Sequence, residues 1–213
     1  MTDRETRKRL LQTAFRLFHE QGYHATGVAT IMREAQINPG SMYHYFESKD
    51  DLLLGVLRFA LDYLRPAVMG PAEARTTDPL GRVFSLLALY RRGMKVKGCK
   101  LGCPIGNLAL EVSDDHPPAR DLIHRNFENW IDHVHRWLES AGDLLPAGLD
   151  RRQLARFVLT VMEGGLMQSR AAGHLGPFDD SVAQLRNYFD LLTLRRAGGR
   201  KRSRQRRAKE NRQ

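Results

Sequence analysis

The chain has 213 residues, 42% of them hydrophobic and 27% charged, which is the composition of an ordinary globular protein and excludes a collagen-like or wholly disordered chain. Its longest apolar stretch, residues 52–64, is interrupted by two charged residues and is shorter than the roughly 18 residues of a membrane span, so no membrane contact is expected. The formal net charge is +10, but residues 195–213 contain ten basic residues and one acidic residue and carry +9 of it, which leaves a globule that is close to neutral.

Apolar residues recur every three to four positions along most of the chain, and no alternating stretch of convincing length predicts a strand, so the fold class is all-α. The predicted helices cover residues 4–21, 27–35, 39–46, 49–69, 79–97, 104–112, 117–140, 151–172 and 180–196. Gly22 follows the first helix where a left-handed C-cap is expected. Asp78, Asp150 and Asp180 are candidate N-caps of later helices. The polar N-terminus contains no apolar leader segment, which favours the cytoplasm over secretion.

The second and third predicted helices are short and are separated by a turn of three to four residues, which is the arrangement of a helix-turn-helix motif. Thr26 is a candidate N-cap of the first of them, and Asn38 is a candidate N-cap of the second. Pro39 then occupies the first helical position, where a missing N–H costs nothing. Met42 and Phe46 lie four residues apart and are predicted to pack on the preceding helices. The second helix can therefore insert into the major groove of DNA.

The other face of this second helix is predicted to point outward and consists of Gly40, Ser41, Tyr43, His44 and Tyr45. Small residues allow a close approach to phosphates, whereas hydroxyl, imidazole and aromatic groups can bond to phosphates or pack against thymine methyl groups. The alternative interpretation places the three aromatic residues in the core of a small bundle. Because successive side chains on a helix are about 100 degrees apart, at least one of the three must still point outward.

The first 55 residues resemble the tetracycline-repressor (TetR) family of bacterial one-component regulators. The matching motifs are Phe18-x-x-x-Gly22-Tyr23, Thr26-x-Val28, Ile31-x-x-Glu34-Ala35 and Gly40-Ser41-Met42-Tyr43-His44-Tyr45-Phe46-x-x-Lys49-x-x-Leu52. The chain departs from the family pattern at Gln36, where the turn usually has glycine, so this turn either differs slightly from that of the family or carries the strain of a left-handed backbone. It also departs at Thr30, where an acidic residue is common.

The resemblance implies an N-terminal three-helix helix-turn-helix DNA-binding domain at residues 1–48 and a larger C-terminal helical domain for ligand binding and dimerisation at residues 49–197. It also implies contacts to DNA from Thr26, Gly27, Pro39, Gly40, Ser41, Tyr43, His44, Tyr45 and Lys49. Residues 198–213 lack the apolar side chains that could form a core, and we predict that they are a disordered basic tail with affinity for a polyanion.

The last two predicted helices carry more apolar surface than one core stripe needs. The apolar residues are Leu154, Phe157, Val158, Val161, Met162, Leu166, Met167, Val182, Leu185, Tyr188, Phe189, Leu191, Leu192 and Leu194. Gly164 and Gly165 allow another backbone to approach closely. The family resemblance implies a homodimer through this helix pair, whereas a monomer with a fully wrapped core is the alternative.

The two cysteines of the chain, Cys99 and Cys103, are too few for a disulfide framework. Pro104 is predicted to begin a helix, which places Cys103 at the N-cap, where unpaired amides and the helix dipole favour a thiolate. The stretch Gly102-Cys103-x-x-Gly106-Asn107-Leu108 resembles a segment in a subset of the family that includes regulators responding to flavonoids, acrylate and reactive electrophiles. Two interpretations remain open. Cys103 is either a thiol sensor, with Cys99 as a resolving thiol if the intervening segment is not helical, or a small buried side chain beside a pocket.

Apolar helix faces predict a pocket for a small-molecule effector in the larger domain. The predicted lining and thiol-sensing residues are Cys103, Cys99, Asn107, Phe59, Tyr63, Tyr90, Phe127, Trp130 and Met162. A further polar group, formed by His124, Glu128, Asp132 and His135, follows one helix face. Arginine neighbours make a solvated face a better explanation of this group than a metal site. No metal and no cofactor are expected.

The sequence therefore favours a ligand-responsive transcriptional repressor that is not an enzyme. It would bind a palindromic double-stranded DNA operator as a homodimer and be released by a small molecule or an electrophile. One alternative is an all-helical thiol enzyme that uses Cys103 with a histidine, but no paired base occurs at a recognisable spacing. Another alternative is an architectural nucleic-acid binder that acts through its basic tail. A preference for a palindrome distinguishes the repressor from that binder.

Overall fold

A computed structural model of the protein describes the backbone of residues 2–210 and the side chains of residues 2–194 except that of Pro39. Within this part of the chain there are ten α-helices and no strand, so the predicted all-α fold is confirmed. The helices are α1 Asp3–Gln21, α2 Val28–Ala35, α3 Pro39–Tyr45, α4 Lys49–Leu64, α5 Gly70–Glu73, α6 Pro79–Val96, α7 Pro104–Val112, α8 Pro117–Ser140, α9 Arg151–Ala172 and α10 Gly176–Glu210. None of these helices is both long and apolar enough to cross a membrane.

Most helices begin where the sequence predicts, because local signals set their N-termini. The Asp78 carboxylate accepts hydrogen bonds from the N–H groups of Leu80 and Gly81. The Asp150 carboxylate accepts one from the N–H group of Gln153. The helices α3, α6, α7 and α8 each begin at a proline, whose fixed φ suits the first helical turn.

The last helix is longer than predicted at both ends. It begins at Gly176, so the predicted N-cap at Asp180 is wrong, and its backbone stays helical to Glu210 instead of ending at residue 196. Arginine, lysine, glutamine and alanine dominate this extension and are good helix formers, which favours helix even without an apolar stripe. The side chains from Arg195 onward and residues 211–213 lie outside the described part of the structure, so the disordered basic tail at 198–213 stays a prediction.

The predicted helix over 49–69 divides into α4 and a π-helical turn over Arg65–Met69, which continues into α5. Pro66 and Pro71 cause this change, since a proline removes one backbone donor and clashes with the carbonyl four residues before it. A π turn accommodates that clash by widening the helix locally. The turn places Ala67 and Val68 in the wall of a cavity.

The buried side chains form two clusters. The first cluster lies between the four helices α1, α2, α3 and α4 and also includes residues of α7 and α8. Its members include Leu10, Phe18, Ile31, Met42, Phe46, Leu52, Leu108, Val112 and Ile123. The second cluster joins α6, α8, α9 and α10, with Leu86, Trp130, Trp137, Met162, Phe178 and Phe189 among its members. Because α7 and α8 contribute to the first cluster, the three N-terminal helices rest directly on the larger helical part.

Candidate DNA interface and effector cavity

The short helix α3 separates its side chains into a buried and an exposed set. Met42 and Phe46 are buried in the first cluster together with Ile31, as the sequence predicts. Tyr43 is 61% exposed, and His44 is exposed beside it. The interpretation of these aromatic residues as core side chains is therefore wrong for Tyr43 and His44. An exposed tyrosine and histidine on a supported short helix form a surface that can contact base edges and phosphates.

The N-terminus of α1 holds the C-terminal end of α3 in place. The Tyr45 hydroxyl donates a hydrogen bond of 2.5 Å to the Asp3 Oδ1 atom, and this bond raises the pKa of Tyr45. His44 Nε2 lies 3.7 Å from the same oxygen. A capping box between Thr2 and Glu5 fixes the first turn of α1, and with it Asp3. The hydroxyl of Tyr45 is therefore engaged within the protein, whereas Tyr43 has its ring exposed.

Two glycines and a lysine complete the predicted interface around α3. A Cβ atom added at Gly27 or at Gly40 would meet no other atom within 4 Å, so the backbone at both positions is open to an approaching phosphate. Lys49 Nζ lies 4.2 Å from the centre of the Tyr23 ring and 3.5 Å from the His24 carbonyl oxygen. Burial lowers the pKa of Lys49. This lysine is thus positioned at the start of α4.

Thr26 requires a correction. It is fully buried, and its hydroxyl donates hydrogen bonds of 2.6 Å to the Gly22 carbonyl and 3.4 Å to the Leu17 carbonyl. The N-cap of α2 is Gly27 instead. The predicted DNA contact and N-cap role of the Thr26 side chain are therefore wrong, because the hydroxyl closes the turn after α1. Asn38 is the N-cap residue of α3 as predicted, although its side chain makes no capping hydrogen bond.

Gln36 adopts a left-handed conformation, with φ 53° and ψ 50°, which is one of the two alternatives that the sequence leaves open for this turn. Its carbonyl accepts a hydrogen bond of 3.0 Å from the Arg9 guanidinium. A non-glycine residue in this conformation is strained. The bond from α1 helps to hold the turn between α2 and α3 in spite of that strain.

A partly open cavity of about 450 Å³ lies between α1, α4, α6, α7, α8 and α9. Its wall includes five of the predicted pocket residues, namely Tyr63, Tyr90, Cys103, Phe127 and Trp130. Phe15, His19, Ala60, Leu64, Ile105, Asn126, Leu159 and Glu163 also line it. Asn107 lines a second, more open cavity of about 640 Å³ between α7, α8 and α9. Cys103, Phe127, Leu159 and Glu163 line both cavities, so they form the partition between them.

Three predicted pocket residues do not line either of these cavities. Phe59 points toward α1, where its ring packs against Phe15 at 6.1 Å between centroids. Met162 is fully buried in the second cluster. Cys99 is buried there as well, in a turn with φ 57°. These three predictions are corrected, because each side chain packs into a core that the apolar pattern of a single helix does not distinguish from a pocket wall.

Cys103 is the N-cap of α7, as predicted, but its thiol is not activated. Burial and the nearby Glu163 carboxylate raise the pKa of Cys103 well above its ordinary value, and the Gly106 and Ile105 amides lower it to a smaller extent. Of the two interpretations of Cys103, the raised pKa therefore favours the small buried side chain beside a pocket over the reactive thiolate. The segment between Cys99 and Cys103 is not helical, which was the condition for pairing of the two thiols.

Glu163 on α9 was not among the predicted pocket residues. Its Oε1 atom is buried and has no hydrogen-bond partner within the described residues. Its Oε2 atom lies so close to Gly106 that a Cβ atom there would clash with it, and the Cys103 thiol is hydrogen-bonded to the carboxylate. Burial raises the pKa of Glu163. A charged residue between the buried Met162 and Leu166 was the sequence signal for this position.

Glu111 at the C-terminal end of α7 was also missed by the sequence analysis. Its carboxylate accepts hydrogen bonds of 2.8 Å from the Tyr23 N–H and 2.7 Å from the His24 N–H. At the other end of α7, His19 Nε2 donates a bond of 2.7 Å to the Gly102 carbonyl. Burial lowers the pKa of His19, which favours its neutral form. Hydrogen bonds therefore join both ends of the α7 segment to α1 and to the turn that follows it.

The polar face of α8 is paired with α9. Arg152 bonds to Glu128 and Asp132, and Arg156 bonds to Glu128. His135 lies 3.3 Å from a Glu139 oxygen. No group of three metal-ligating side chains occurs in the part of the chain that the structure describes. These carboxylates stabilise the α8–α9 contact.

The outer face of α9 and α10 is an open apolar groove. Its wall includes Phe157, Val161, Gly164, Leu185 and Tyr188, and the Phe157 and Tyr188 rings pack at 5.8 Å between centroids. The two glycines at 164 and 165 have different surroundings. A Cβ atom at Gly165 would lie 3.0 Å from the Phe178 ring of the same chain, whereas a Cβ atom at Gly164 would meet only the Gln168 Nε2 atom, at 4.0 Å.

Two protein-family models match the chain. The model described as bacterial regulatory proteins of the tetR family matches residues 10–56. The model described as a tetracyclin repressor-like C-terminal domain matches residues 79–185, about half of the chain. The chain belongs to the TetR family. The family resemblance predicted from the helix-turn-helix motif is thereby confirmed, whereas membership of the subset with the Gly-Cys segment stays a prediction.

TetR-family relatives match this chain over most of their length. The HTH-type transcriptional regulator LmrA of Bacillus subtilis is 29% identical over 182 residues, which are 81% of this chain and 90% of LmrA. The HTH-type transcriptional repressor DhaR of Mycobacterium sp. (strain GP1) is 25% identical over 178 residues, 81% of this chain and 86% of DhaR. The crystal structure of regulatory protein TetR from Rhodobacter sphaeroides has a TM-score of 0.76 at 23% identity, covering 84% of this chain and 95% of that chain, and shows the same fold. Transcriptional regulation through DNA binding is the function of this TetR-family protein.

The raised pKa of Cys103 predicts slow thiol chemistry in this TetR-family protein. We expect iodoacetamide to modify Cys103 at pH 7 more slowly than it modifies free cysteine, because only the thiolate attacks. Mass spectrometry of the native protein, with urea-unfolded protein and the Cys103→Ser variant as controls, measures the rate at each thiol. Modification of native Cys103 faster than free cysteine would restore the thiol-sensor interpretation.

Proposed function

We propose that the protein is a transcriptional repressor that leaves a palindromic operator when a small molecule occupies the 450 Å³ cavity. The observation that carries this proposal is the position of α7, which begins in the wall of the cavity and ends at the hydrogen bonds of Glu111 to the helix-turn-helix part. A ligand that moves the start of α7 would move Tyr23 and His24 with it. The protein would act without catalysis and in the cytoplasm.

The proposed contact with DNA is made by α3 and its flanks. Tyr43 and His44 would reach the major groove because both are exposed, and Gly40 and Ser41 would lie closest to the bases. Gly27 and Pro39 would offer backbone to phosphates, Lys49 would supply a positive charge, and the Tyr45 ring would lie at the edge of the interface.

The proposed homodimer forms through the groove on α9 and α10. Exposed apolar side chains are costly to leave in water and mark an interaction surface, and Gly164 lets a second helix approach closely. A twofold axis at this surface would place two α3 helices on successive major grooves, about 34–36 Å apart. A pseudo-palindromic operator matches that symmetry.

Coupling between the cavity and the DNA interface would act through α7. The cavity wall includes Cys103 and Ile105 in its first turn, and Glu111 lies two turns further along. A rigid helix transmits a displacement from one end to the other. Allosteric coupling typically amounts to about 1–3 kcal/mol, so the displacement of α7 needs to change operator affinity only by that amount.

Removal of the Glu111 carboxylate tests this connection directly. We expect Glu111→Ala to speed the hydrogen exchange of the Tyr23 and His24 amides, because both lose their acceptor. Exchange measured by NMR should change little in Asp114→Ala, which removes an exposed carboxylate three residues away. Unchanged exchange at Tyr23 and His24 in the Glu111 variant would contradict the proposed role of this carboxylate.

The proposed function as a whole is tested by selecting bound sequences from a random DNA library with the purified full-length protein. We expect the selection to enrich a pseudo-palindrome. We also expect small apolar molecules that fill the cavity to release the protein from this DNA. Binding without a preferred palindrome would support the architectural alternative. Release that does not depend on residues of the cavity wall, such as Phe127 and Trp130, would contradict the cavity as the effector site.

A further inference from the structure

We propose that the 450 Å³ cavity binds an apolar organic cation, an amine or a quaternary ammonium group on an aromatic or aliphatic body, whose positive charge pairs with Glu163. This inference rests on the proposed function in taking the cavity as the effector site, and it adds the chemical class of the effector. Glu163 Oε1 is buried in the cavity region without a partner.

An unpaired buried carboxylate is an unfavourable feature that needs a reason. Transfer of a carboxylate from water into an apolar site is costly unless a hydrogen bond or a positive charge compensates it. Among the described residues no ion pair includes Glu163, although Arg156 and Arg170 line the neighbouring cavity. Arg156 is paired with Glu128, and Arg170 bonds to Asn107. A cationic ligand would supply the missing partner.

The Glu163 carboxylate is held at the cavity wall by its surroundings. The Cys103 thiol is hydrogen-bonded to it, and Gly106 leaves the space that Oε2 occupies. Both contacts come from the N-terminal turn of α7. A positive group that pairs with Glu163 would therefore lie directly against the segment that ends at Glu111.

The rest of the cavity wall suits the aromatic or aliphatic part of an organic cation. It includes the aromatic rings of Phe15, Tyr63, Tyr90, Phe127 and Trp130, and aromatic faces attract ammonium groups, most strongly when these are desolvated. The polar end of Trp130 is already satisfied, because its indole N–H donates a bond of 3.1 Å to the Tyr90 hydroxyl. These rings therefore offer apolar surface and leave Glu163 as the charged group of the wall.

Two probes of the same shape and different charge test the inference. Benzyltrimethylammonium is the cation, and 2,2-dimethylpropylbenzene, in which a carbon replaces the nitrogen, is its neutral isostere. We expect the full-length protein to bind the cation at least about tenfold more tightly, as measured by calorimetry and by tryptophan fluorescence. Equal affinity for the two probes, tighter binding of the neutral probe or binding of neither would overturn the inference.

Three variants locate the charge that selects the cation. Glu163→Gln keeps the shape of the side chain and should remove the preference for the cation, whereas Glu163→Asp keeps the charge and should retain the preference. Glu128→Gln, which removes a carboxylate that lines only the neighbouring cavity, should behave as the unchanged protein does. Thermal unfolding verifies that each variant is folded. A cation preference that persists in Glu163→Gln would overturn the inference.

Operator release is measured separately from ligand binding. The two measurements distinguish a failure of the proposed effector role of the cavity from a failure of the inference about its ligand. Binding of the cation through Glu163 without release of DNA contradicts the effector role of the cavity but supports the inference about its ligand. Release of DNA by the neutral probe, together with no preference for the cation, supports the effector role and overturns the inference.

Discussion

Leu191→Glu is expected to convert the protein into a monomer and to abolish high-affinity binding to a palindromic operator. Leu191 is 57% exposed on α10, on the side of the helix that carries Tyr188 in the wall of the apolar groove. A twofold axis would bring the glutamates of both subunits into one apolar surface, where unpaired charges are costly to bury. Analytical ultracentrifugation measures the association state, and electrophoretic shifts of operator DNA measure the binding.

Val96→Glu is the matched control for this substitution. Val96 is 74% exposed at the end of α6 and does not line the groove of α9 and α10, so the same new charge should leave both the association state and the operator affinity unchanged. A Leu191→Glu protein that stays dimeric would contradict the proposed dimer surface. A monomeric protein that still binds the palindrome with full affinity would contradict the need for a dimer.

Helix positions were the part of the fold that local sequence predicted well. Asp78 and Asp150 satisfy backbone N–H groups that a helix start leaves unpaired, and a proline at the first position excludes a longer helix. These signals act within four residues, so they need no knowledge of the tertiary structure. Such signals were not sufficient for α10, which begins at Gly176 although Asp180 is a candidate N-cap, and which continues past its predicted end at residue 196.

The side-chain roles depended on contacts that the sequence does not contain. Thr26 is a polar residue at a helix start, yet its hydroxyl bonds to carbonyls in the preceding turn. Glu163 and Glu111 bond to or approach residues more than 50 positions away. Neither partner follows from helical periodicity, because periodicity specifies the buried face of a helix and not its neighbour.

The residues that line the cavity were predicted only in part, because contacts between helices do not follow from the periodicity of one helix. Phe59 and Tyr63 lie one turn apart on the same face of α4, and their rings stack at 5.5 Å between centroids. Only Tyr63 lines the cavity, although both rings pack against Phe15 at 6.1 Å between centroids. Helical periodicity places both residues on one face and does not show which of them lines the cavity.

Tyr43→Ala is expected to weaken operator binding by about 1–3 kcal/mol for each α3 helix, which is roughly fivefold to 160-fold for each helix, without a change in the thermal midpoint. The reason is the 61% exposure of Tyr43, which leaves its ring available to DNA and gives it little part in the core. Fluorescence anisotropy with labelled operator measures the affinity. Tyr43→Phe separates the contribution of the hydroxyl to operator affinity from that of the ring, because this variant should keep the part of the affinity that comes from ring packing on bases.

The neighbouring residue provides the opposite control. Met42 is fully buried on the same helix, so Met42→Ala should lower the free energy of unfolding by about 2–5 kcal/mol, the usual cost of truncating a buried side chain to alanine. Two adjacent substitutions on one seven-residue helix would thus separate recognition from stability, because helical geometry directs their side chains to different faces. Full operator affinity in the Tyr43→Ala protein would remove α3 from the DNA interface, whereas a lowered thermal midpoint would show that Tyr43 supports the fold.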